Sequence, residues 1–317
     1  MINPLLSIII VSYNTSQLTL DCLKSIFKDK GLVFDLNKIN NKNLVPTEII
    51  IVDNNSQDDS VTQIKKLPVK LITNKFNAGF GKANNQALKV AKGNYILLLN
   101  SDTLILHSAI SQSLNWLCSH PEASVCTAQL LNKDKTIQAS GGFFPNLLNV
   151  TSWCLSLDDL PFVNKIIKPL HPHTPDFYTH DKFFLKDHQQ DWVTGAFMMI
   201  RNSHLKATQG FDENYFMYGE EVELSYRLKQ KNPHSQTWYL IGPQIVHLGG
   251  ASAKNKIDPI LNEYLGILTF FKKHKKIWQY KIVKQLIKFN AFSRSVIYFI
   301  RGNSKTASLY LQTCSKI

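Results

Sequence analysis

The sequence predicts an α/β fold, a mostly parallel sheet with helices on both faces. Three observations carry that expectation. Short β-branched runs alternate with stretches of helical period through the first hundred residues. The runs are continuously apolar, as strands buried on both faces are. Polar clusters follow several of them, and sheets of this kind take ligands at the carboxyl ends of their strands.

Taken in order, Leu6 to Ser12 reads as the first, central strand. Leu18, Cys22, Leu23 and Ile26 then keep helical spacing. Asp29 to Pro46 is polar, rich in Asn and Lys and without period, and is expected to be an inserted loop. Glu48 to Asp53 is a second buried strand ending in an acid, and Val69 to Ile72 a shorter third. Gly81 to Ala91 reads as a helix, and Tyr95 to Asn100 as a fourth strand running into Ser101 and Asp102. The middle, Gly141 to Gln190, lacks period and is rich in Pro, His and aromatics, so a long loop with short elements is expected over the sheet edge. Trp192 to Arg201 returns to a strand-like run, and Glu220 to Gln230 to a helix. Trp238 to Ile241 and Gln244 to His247 read as two short strands split by Gly242-Pro243.

The clusters Ser12-Tyr13-Asn14, Asp53-Asn54-Asn55-Ser56 and Asn100-Ser101-Asp102 fall on one predicted sheet edge. Any one of them can be a turn or a helix cap. Three on one edge, two with an acid just past an apolar strand, point to a ligand site.

Charge divides the chain. The net charge is +13, and 13 Lys and Arg against Asp258 and Glu263 place +11 of it from Lys254 onward. We therefore divide the chain into a main domain, 1–253, and a basic amphipathic helical region, 254–317. In that region Ile257, Ile260, Leu261, Tyr264, Leu265 and Leu268 keep helical spacing, as do Trp278, Ile282, Leu286, Phe289, Val296 and Ile300. Lysines and arginines interrupt both series. Such helices lie on anionic lipid, although packing on the main domain with a solvated Lys face is also compatible with the pattern. No recognition motif for nucleic acid accompanies the charge. Five scattered cysteines make no CxxC or zinc spacing, which suits reduced, buried thiols in a cytoplasmic protein. No run has the length of a transmembrane helix, and the N-terminus lacks a basic region before its short apolar run.

An ordered set of motifs over roughly residues 5 to 250 resembles a known family, the family 2 inverting glycosyltransferases of GT-A fold. Ser7 to Asn14 looks like their opening strand, and Ile51 to Asp58 like their nucleotide-binding turn. Asn77 to Asn85, Leu98 to Thr103, Val193 to Arg201 and Gly210 to Leu224 fit the rhamnosyltransferase-like branch. The resemblance implies a Rossmann-like GT-A sheet and transfer of a sugar, L-rhamnose from its deoxythymidine diphosphate ester being favoured. The implied acceptor is a hydroxyl of a lipid-linked precursor of a cell-surface polysaccharide. The implied place is the cytoplasm, and the inner face of the cell membrane where residues 254–317 meet lipid.

The same resemblance assigns roles. Asp53 would bind the nucleoside, the alternative being an Asx turn or an N-cap for the helix after Ser56. Ser12, Tyr13, Asn14, Asn55, Asn77, Gly79, Phe80, Asn84, Asn100 and Ser101 would line the donor site, with Trp192, Gly195 and Ala196 shaping the sugar and acceptor cleft. Trp192 can also be core. Asn100-Ser101-Asp102 stands where the family has an acid-x-acid motif, its first acid replaced by Asn. A leaving diphosphate needs its charge neutralised, and Mg²⁺ or Mn²⁺ does this well. Asp102 and His247 are the implied metal contacts. Glu221 is implied as the general base that takes the acceptor's proton, with Glu220 as its acceptor-binding or orienting partner. Glu221 replaces the usual Asp, and its extra methylene reaches roughly 1.5 Å further. Two other readings stay open. One is a catalytically inactive domain serving as a membrane scaffold or glycan-binding module. The other is a sugar nucleotidyltransferase, which would want a Gly- and Lys-bearing phosphate loop after the first strand; Ser12 to Ser16 has neither.

Overall fold

The computed structural model describes residues 4–35, 44–160, 162–175, 182–249 and 259–317. Met1 to Asn3, Ile257, and the Gly250-Ala251-Ser252 end of the motif that begins at His247 lie outside these residues, as do positions 36–43 of the expected loop.

The first half of the chain builds the parallel part of the sheet. β1 (Leu6–Ser12) leads into α1 (Ser16–Phe27). β2 (Leu32–Val33) and β3 (Val45–Asp53) follow, then α2 (Ser60–Ile64), β4 (Lys70–Thr73), α3 (Phe80–Leu88) and β5 (Tyr95–Asn100). β1 pairs in parallel with both β3 and β5. Side chains alternate across it as strand geometry demands. Ile8 and Ile10 join Cys22, Leu23 and Ile26 of α1 in one core, while Ile9 joins Ala83 and Ala87 of α3 in the other. Burial on both faces explains the unbroken apolar runs. The segment expected to be a loop from Asp29 to Pro46 contributes structure at each end: Leu32–Val33 pairs with Val45–Pro46. Two-residue strands leave no period to read.

The second half mixes directions. β6 (Thr103–Ile105), α4 (Ala109–Ser119), β7 (Ala123–Leu131) and β8 (Ile137–Gln138) come first. α5 (Leu147–Cys154), α6 (Val163–Ile166) and a 3₁₀ turn at Phe183–Leu185 occupy the aperiodic middle. β9 (His188–Gln190), β10 (Phe197–Arg201), α7 (Asn202–Ala207), α8 (Glu220–Lys231) and β11 (Gln236–His247) complete the sheet. β10 lies antiparallel between β5 and β7, and β11 pairs in parallel with β7 and antiparallel with β6. The sheet is thus parallel on the β1 side and mixed beyond β5. The two strands expected around Gly242-Pro243 are one strand, β11, whose register against β7 shifts between Leu240 and Gln244. A bulge absorbs the pair without ending the strand. Asp29 also has a structural task. Its carboxylate accepts from the backbone N–H of Ile110 and Ser111, each at 3.1 Å, at the N-terminus of α4.

α9 (Pro259–His274), α10 (Ile277–Ile300) and α11 (Ser304–Lys316) form the C-terminal region. Phe271, Val283, Ile287 and Tyr310 share a third core with Val150 and Cys154 of α5. Glu223 of α8 is fully buried and ties α9 to the body, with Lys273 at 2.7 Å, Arg227 at 2.7 Å and His274 at 3.1 Å. Burial alone raises the Glu223 carboxyl, but these cations hold it below the usual carboxylate range. Cys22, Cys126 and Cys154 are buried; Cys118 is exposed and Cys314 half-buried, so the expectation of buried thiols holds for three of five. No helix of the described residues is long and apolar enough to cross a membrane.

Candidate active site

Register brings the polar strand ends together. Ser12 stands opposite Asp53 in the β1–β3 pairing, and Val11 opposite Asn100 in the β1–β5 pairing. Beyond these ends lies a cavity of about 200 Å³. Its floor is Tyr13, Asn77, Phe80, Asn100, Ser101 and Asp102. Gly195 and Ala196, His247, and the pair Glu220 and Glu221 complete it. Eleven sequence-expected residues therefore meet in one space.

The remaining seven lie outside that wall, and most have evident structural tasks. Ser12 is buried, its hydroxyl within 3.3 Å of Thr15 and 3.1 Å of Thr19. Asn14, at positive φ, bridges to the next turn by donating its N–H to Ser56 and accepting from Gln57 N. Asn55 also has positive φ, and its carbonyl accepts from the Gln57 amide. Asn84 donates to the Phe80 carbonyl within α3. Gly79 has φ +84°, and a Cβ there would sit 2.6 Å from the Phe216 carbonyl oxygen. Its small size admits the 216–217 backbone. Asp53 accepts from Ser56 N through Oδ1, as an Asx turn does, but its buried Oδ2 has no partner. Trp192 is buried and donates Nε1–H to the Phe143 carbonyl while facing a second cavity.

Asn54, Thr194, Met217 and Tyr218 also line the first cavity and were not singled out as site residues from the sequence. Asn54 donates to the Gly79 carbonyl and accepts from Asn74, so it joins the β3 end to the turn before α3. The side chain next to Asn55, rather than Asn55 itself, faces the cavity.

Asp102 and His247 approach each other across the β6–β11 pairing, Nε2 to Oδ1 at 3.3 Å. Gln138 fixes the ring. Its amide nitrogen donates to Asn132, which leaves its oxygen to accept the His247 Nδ1–H at 2.6 Å. Nε2, on the other edge of the ring, faces the Asp102 carboxylate and the Asn100 side-chain amide, each 3.3 Å away. A carboxylate oxygen and an imidazole nitrogen on one side of a cavity, the ring held from behind by Gln138, suit a cation. The described residues contain no cluster of three or more His, Cys, Asp or Glu side chains suited to a metal. An ion here would take most of its oxygens from a ligand, as Mg²⁺ commonly does.

Glu220 and Glu221 open α8. Gly219 at φ +90° turns the chain into the helix, and a bulkier residue is strained there. The helix N-terminus favours negative charge, but burial outweighs it. Burial, together with the charge of Glu221, pushes the Glu220 carboxyl well above the ordinary range. Burial also raises Glu221, while backbone N–H groups and His171 restrain that rise. Each has an Oε2 that is buried without a partner. A carboxylate with a raised pKa and an unused oxygen in a cavity is equipped to accept a proton.

Glu221, Tyr218 and Thr194 also line the second cavity, of about 310 Å³. Its wall includes Leu170, His171 and Trp192 from the middle of the chain, and Glu263, Ile267 and Phe270 from α9. His171 lies 3.0 Å from Glu263. Burial works against charge on His171, but the Glu263 carboxylate holds its pKa above the usual value. Gly266 makes the packing possible: a Cβ there would lie 2.6 Å from the Tyr218 carbonyl oxygen.

Comparison with known proteins identifies the family and the fold. The family model described as glycosyl transferase family 2 matches residues 7–206. An N-acetylglucosaminyl-diphospho-decaprenol L-rhamnosyltransferase of Mycobacterium tuberculosis is 22% identical over 198 residues, 58% of this chain and 61% of that protein. The rhamnosyltransferase WbbL of Escherichia coli K12 is 27% identical over 159 residues, 47% of this chain and 54% of that one. The chain thus matches less than two thirds of the length of either relative. Among solved structures, GalNAc-T7 with UDP, GalNAc and Mn²⁺ superposes with a TM-score of 0.56 at 14% identity, covering 92% of this chain and 51% of that one. A mannosyltransferase of Pyrobaculum calidifontis with GDP-Man and Mn²⁺ gives 0.52 at 13% identity, covering 100% and 76%. These likenesses place the fold among GT-A glycosyltransferases.

Proposed function

The chain belongs to glycosyl transferase family 2, and from that premise we propose an inverting transfer of a sugar from a nucleotide diphosphate to an acceptor hydroxyl. The observation that carries this reading is the shared cavity of Asp102, His247, Glu220 and Glu221. The donor occupies this cavity against β1, β3 and β5. Asp53 stands at the end of β3 outside the cavity wall, and its buried, unpartnered Oδ2 is the atom proposed to meet a nucleoside N–H or hydroxyl. Asp102 and His247 would hold Mg²⁺ or Mn²⁺, which would supply positive charge to neutralise the departing diphosphate. The acceptor enters from the second cavity, where Trp192, Ile267 and Phe270 offer apolar surface to a sugar face and Glu263 and His171 offer polar contacts. Glu221, common to both cavities, takes the proton from the attacking hydroxyl. Glu220, whose carboxyl burial and the charge of Glu221 push well above the ordinary range, stands beside it to orient the acceptor or the base.

L-rhamnose from deoxythymidine diphosphate rhamnose is the favoured donor, supported by the two rhamnosyltransferase relatives. A lipid-linked saccharide is the favoured acceptor, since the mycobacterial relative is named for a diphospho-decaprenol substrate. On this reading the chain works in the cytoplasm at the inner face of the cell membrane, residues 254–317 meeting the lipid. Membership in this family leaves no support for the nucleotidyltransferase alternative.

The test is a donor panel. Sugar nucleotides with Mg²⁺ or Mn²⁺ are screened by thermal shift, because a ligand of the folded state raises its stability by mass action. Deoxythymidine diphosphate rhamnose is expected to give the largest shift and an inverted glycoside with a lipid-linked acceptor. Stabilisation by another sugar nucleotide alone overturns the donor assignment, and glycan binding without turnover favours a scaffold.

A further inference from the structure

α10 carries two apolar faces. One is the core face, with Val283, Ile287 and Ala291 buried against α9, α11 and α5. The other is a stripe of Trp278, Ile282, Phe289, Phe292, Val296 and Ile300. These six recur at intervals of three, four and seven residues, which keeps them on one side of the helix. They are turned outward, between 41% and 77% exposed. From Trp278 to Ile300 the stripe runs about 33 Å at 1.5 Å per residue. An exposed apolar patch of this extent marks an interaction surface.

Charge identifies the partner. Lys281, Lys284 and Lys288 project along one flank of the stripe, at helical angles adjoining it. None has an ion-pair partner among the described residues. Neither α10 nor α11 contains an acidic residue, and the lone acid of α9, Glu263, faces His171. A second copy of this chain would present the same positive flank and repel it. An anionic bilayer supplies negative charge beside an apolar interior, so it answers both features. The lysines also argue against insertion across the bilayer, in keeping with the lack of any membrane-spanning helix among the described residues.

We infer that α10 lies in the plane of an anionic membrane, its Trp278-to-Ile300 stripe sunk among the acyl chains and its lysine flank at the headgroups. This sharpens the membrane partner proposed above to one helix face. It does not depend on the sugar chemistry, and vesicle binding and turnover are read separately. α9 connects the two, since it packs on α10 and walls the cavity that holds Glu221.

The full chain is sedimented with phosphatidylcholine vesicles and with vesicles in which a third of the lipid is phosphatidylglycerol. Binding is expected to the anionic vesicles and to weaken with salt. The triple change of Lys281, Lys284 and Lys288 to Gln should lower partitioning roughly a hundredfold. Phe289→Ser with Phe292→Ser should lower it at least about tenfold. All these positions lie off the core face, so an unchanged thermal midpoint confirms folding. Wild-type partitioning in both variants overturns the inference. So does a solution dimer that the Phe changes dissolve, which assigns the stripe to a second copy. Failure to bind either vesicle overturns it too, whatever the activity.

Discussion

Asp102 and Glu221 line one cavity although they come from different elements, Asp102 from the turn after β5 and Glu221 from the first turn of α8. Between them lies the space where a leaving phosphate and an attacking hydroxyl would face a common carbon. β10 creates this meeting by running antiparallel beside β5, with Ala196 accepting from Asn100 N at 3.1 Å and Thr194 to Ala196 forming part of the wall.

The base sets the acid limb of turnover. On the proposed mechanism Glu221 acts when deprotonated, and burial raises its pKa. Activity should therefore rise with pH through a value above the ordinary carboxylate range. The charge on His171 restrains that pKa, so His171→Gln should move the limb further up. A pH profile of kcat for both proteins checks this, and an unmoved or lowered limb counts against the assignment.

Glu220 should cost stability. Its folded pKa lies well above the unfolded value, so the carboxyl favours folding at low pH and that advantage is lost as pH rises. Glu220→Gln keeps the shape without the charge. It should stabilise the protein at neutral pH by about 1–3 kcal/mol and give less gain on acidification. Thermal midpoints of both proteins across pH measure the difference.

Gly266 on α9 is expected to matter for catalysis from outside the catalytic pair. An alanine methyl there must displace the Tyr218 carbonyl, directly before Gly219 and Glu220. Gly266→Ala should cost about 1–3 kcal/mol of stability and lower kcat, with donor affinity little changed. Steady-state kinetics beside a donor thermal shift separate these effects.

Ring orientation at the cation pair depends on Gln138. Removing its acceptor frees the His247 ring. Gln138→Ala should weaken Mn²⁺ binding, titrated with a nucleoside diphosphate present, by about 10–100-fold. Asp102→Asn should abolish the Mn²⁺-dependent thermal shift. Unchanged Mn²⁺ affinity in both variants removes the metal assignment.

Much of the site was legible because strand ends are legible. An apolar run that stops at Asn100 or Asp53 marks both a buried strand and the edge where ligands gather. The second cavity was not legible. His171, Glu263 and Gly266 meet there through packing of α9 against segments distant in sequence, and no local period records such a meeting. The same limit shows in α10. Five of the six α10 positions chosen for their spacing, Trp278, Ile282, Phe289, Val296 and Ile300, prove to be the outward stripe. The core face is made by Val283, Ile287, Asn290 and Ala291. Helical period reports that a face is apolar, not which of two faces the fold buries.

The central claim is that Glu221 removes the acceptor's proton beside a donor held over Asp102. Its most direct measurement is single-turnover sugar transfer by Glu221→Gln, with donor binding followed by thermal shift on the same preparation. The account predicts a full donor-induced shift and a transfer rate lowered about 10²–10⁴-fold. Transfer at the wild-type rate, with donor bound equally well, contradicts it.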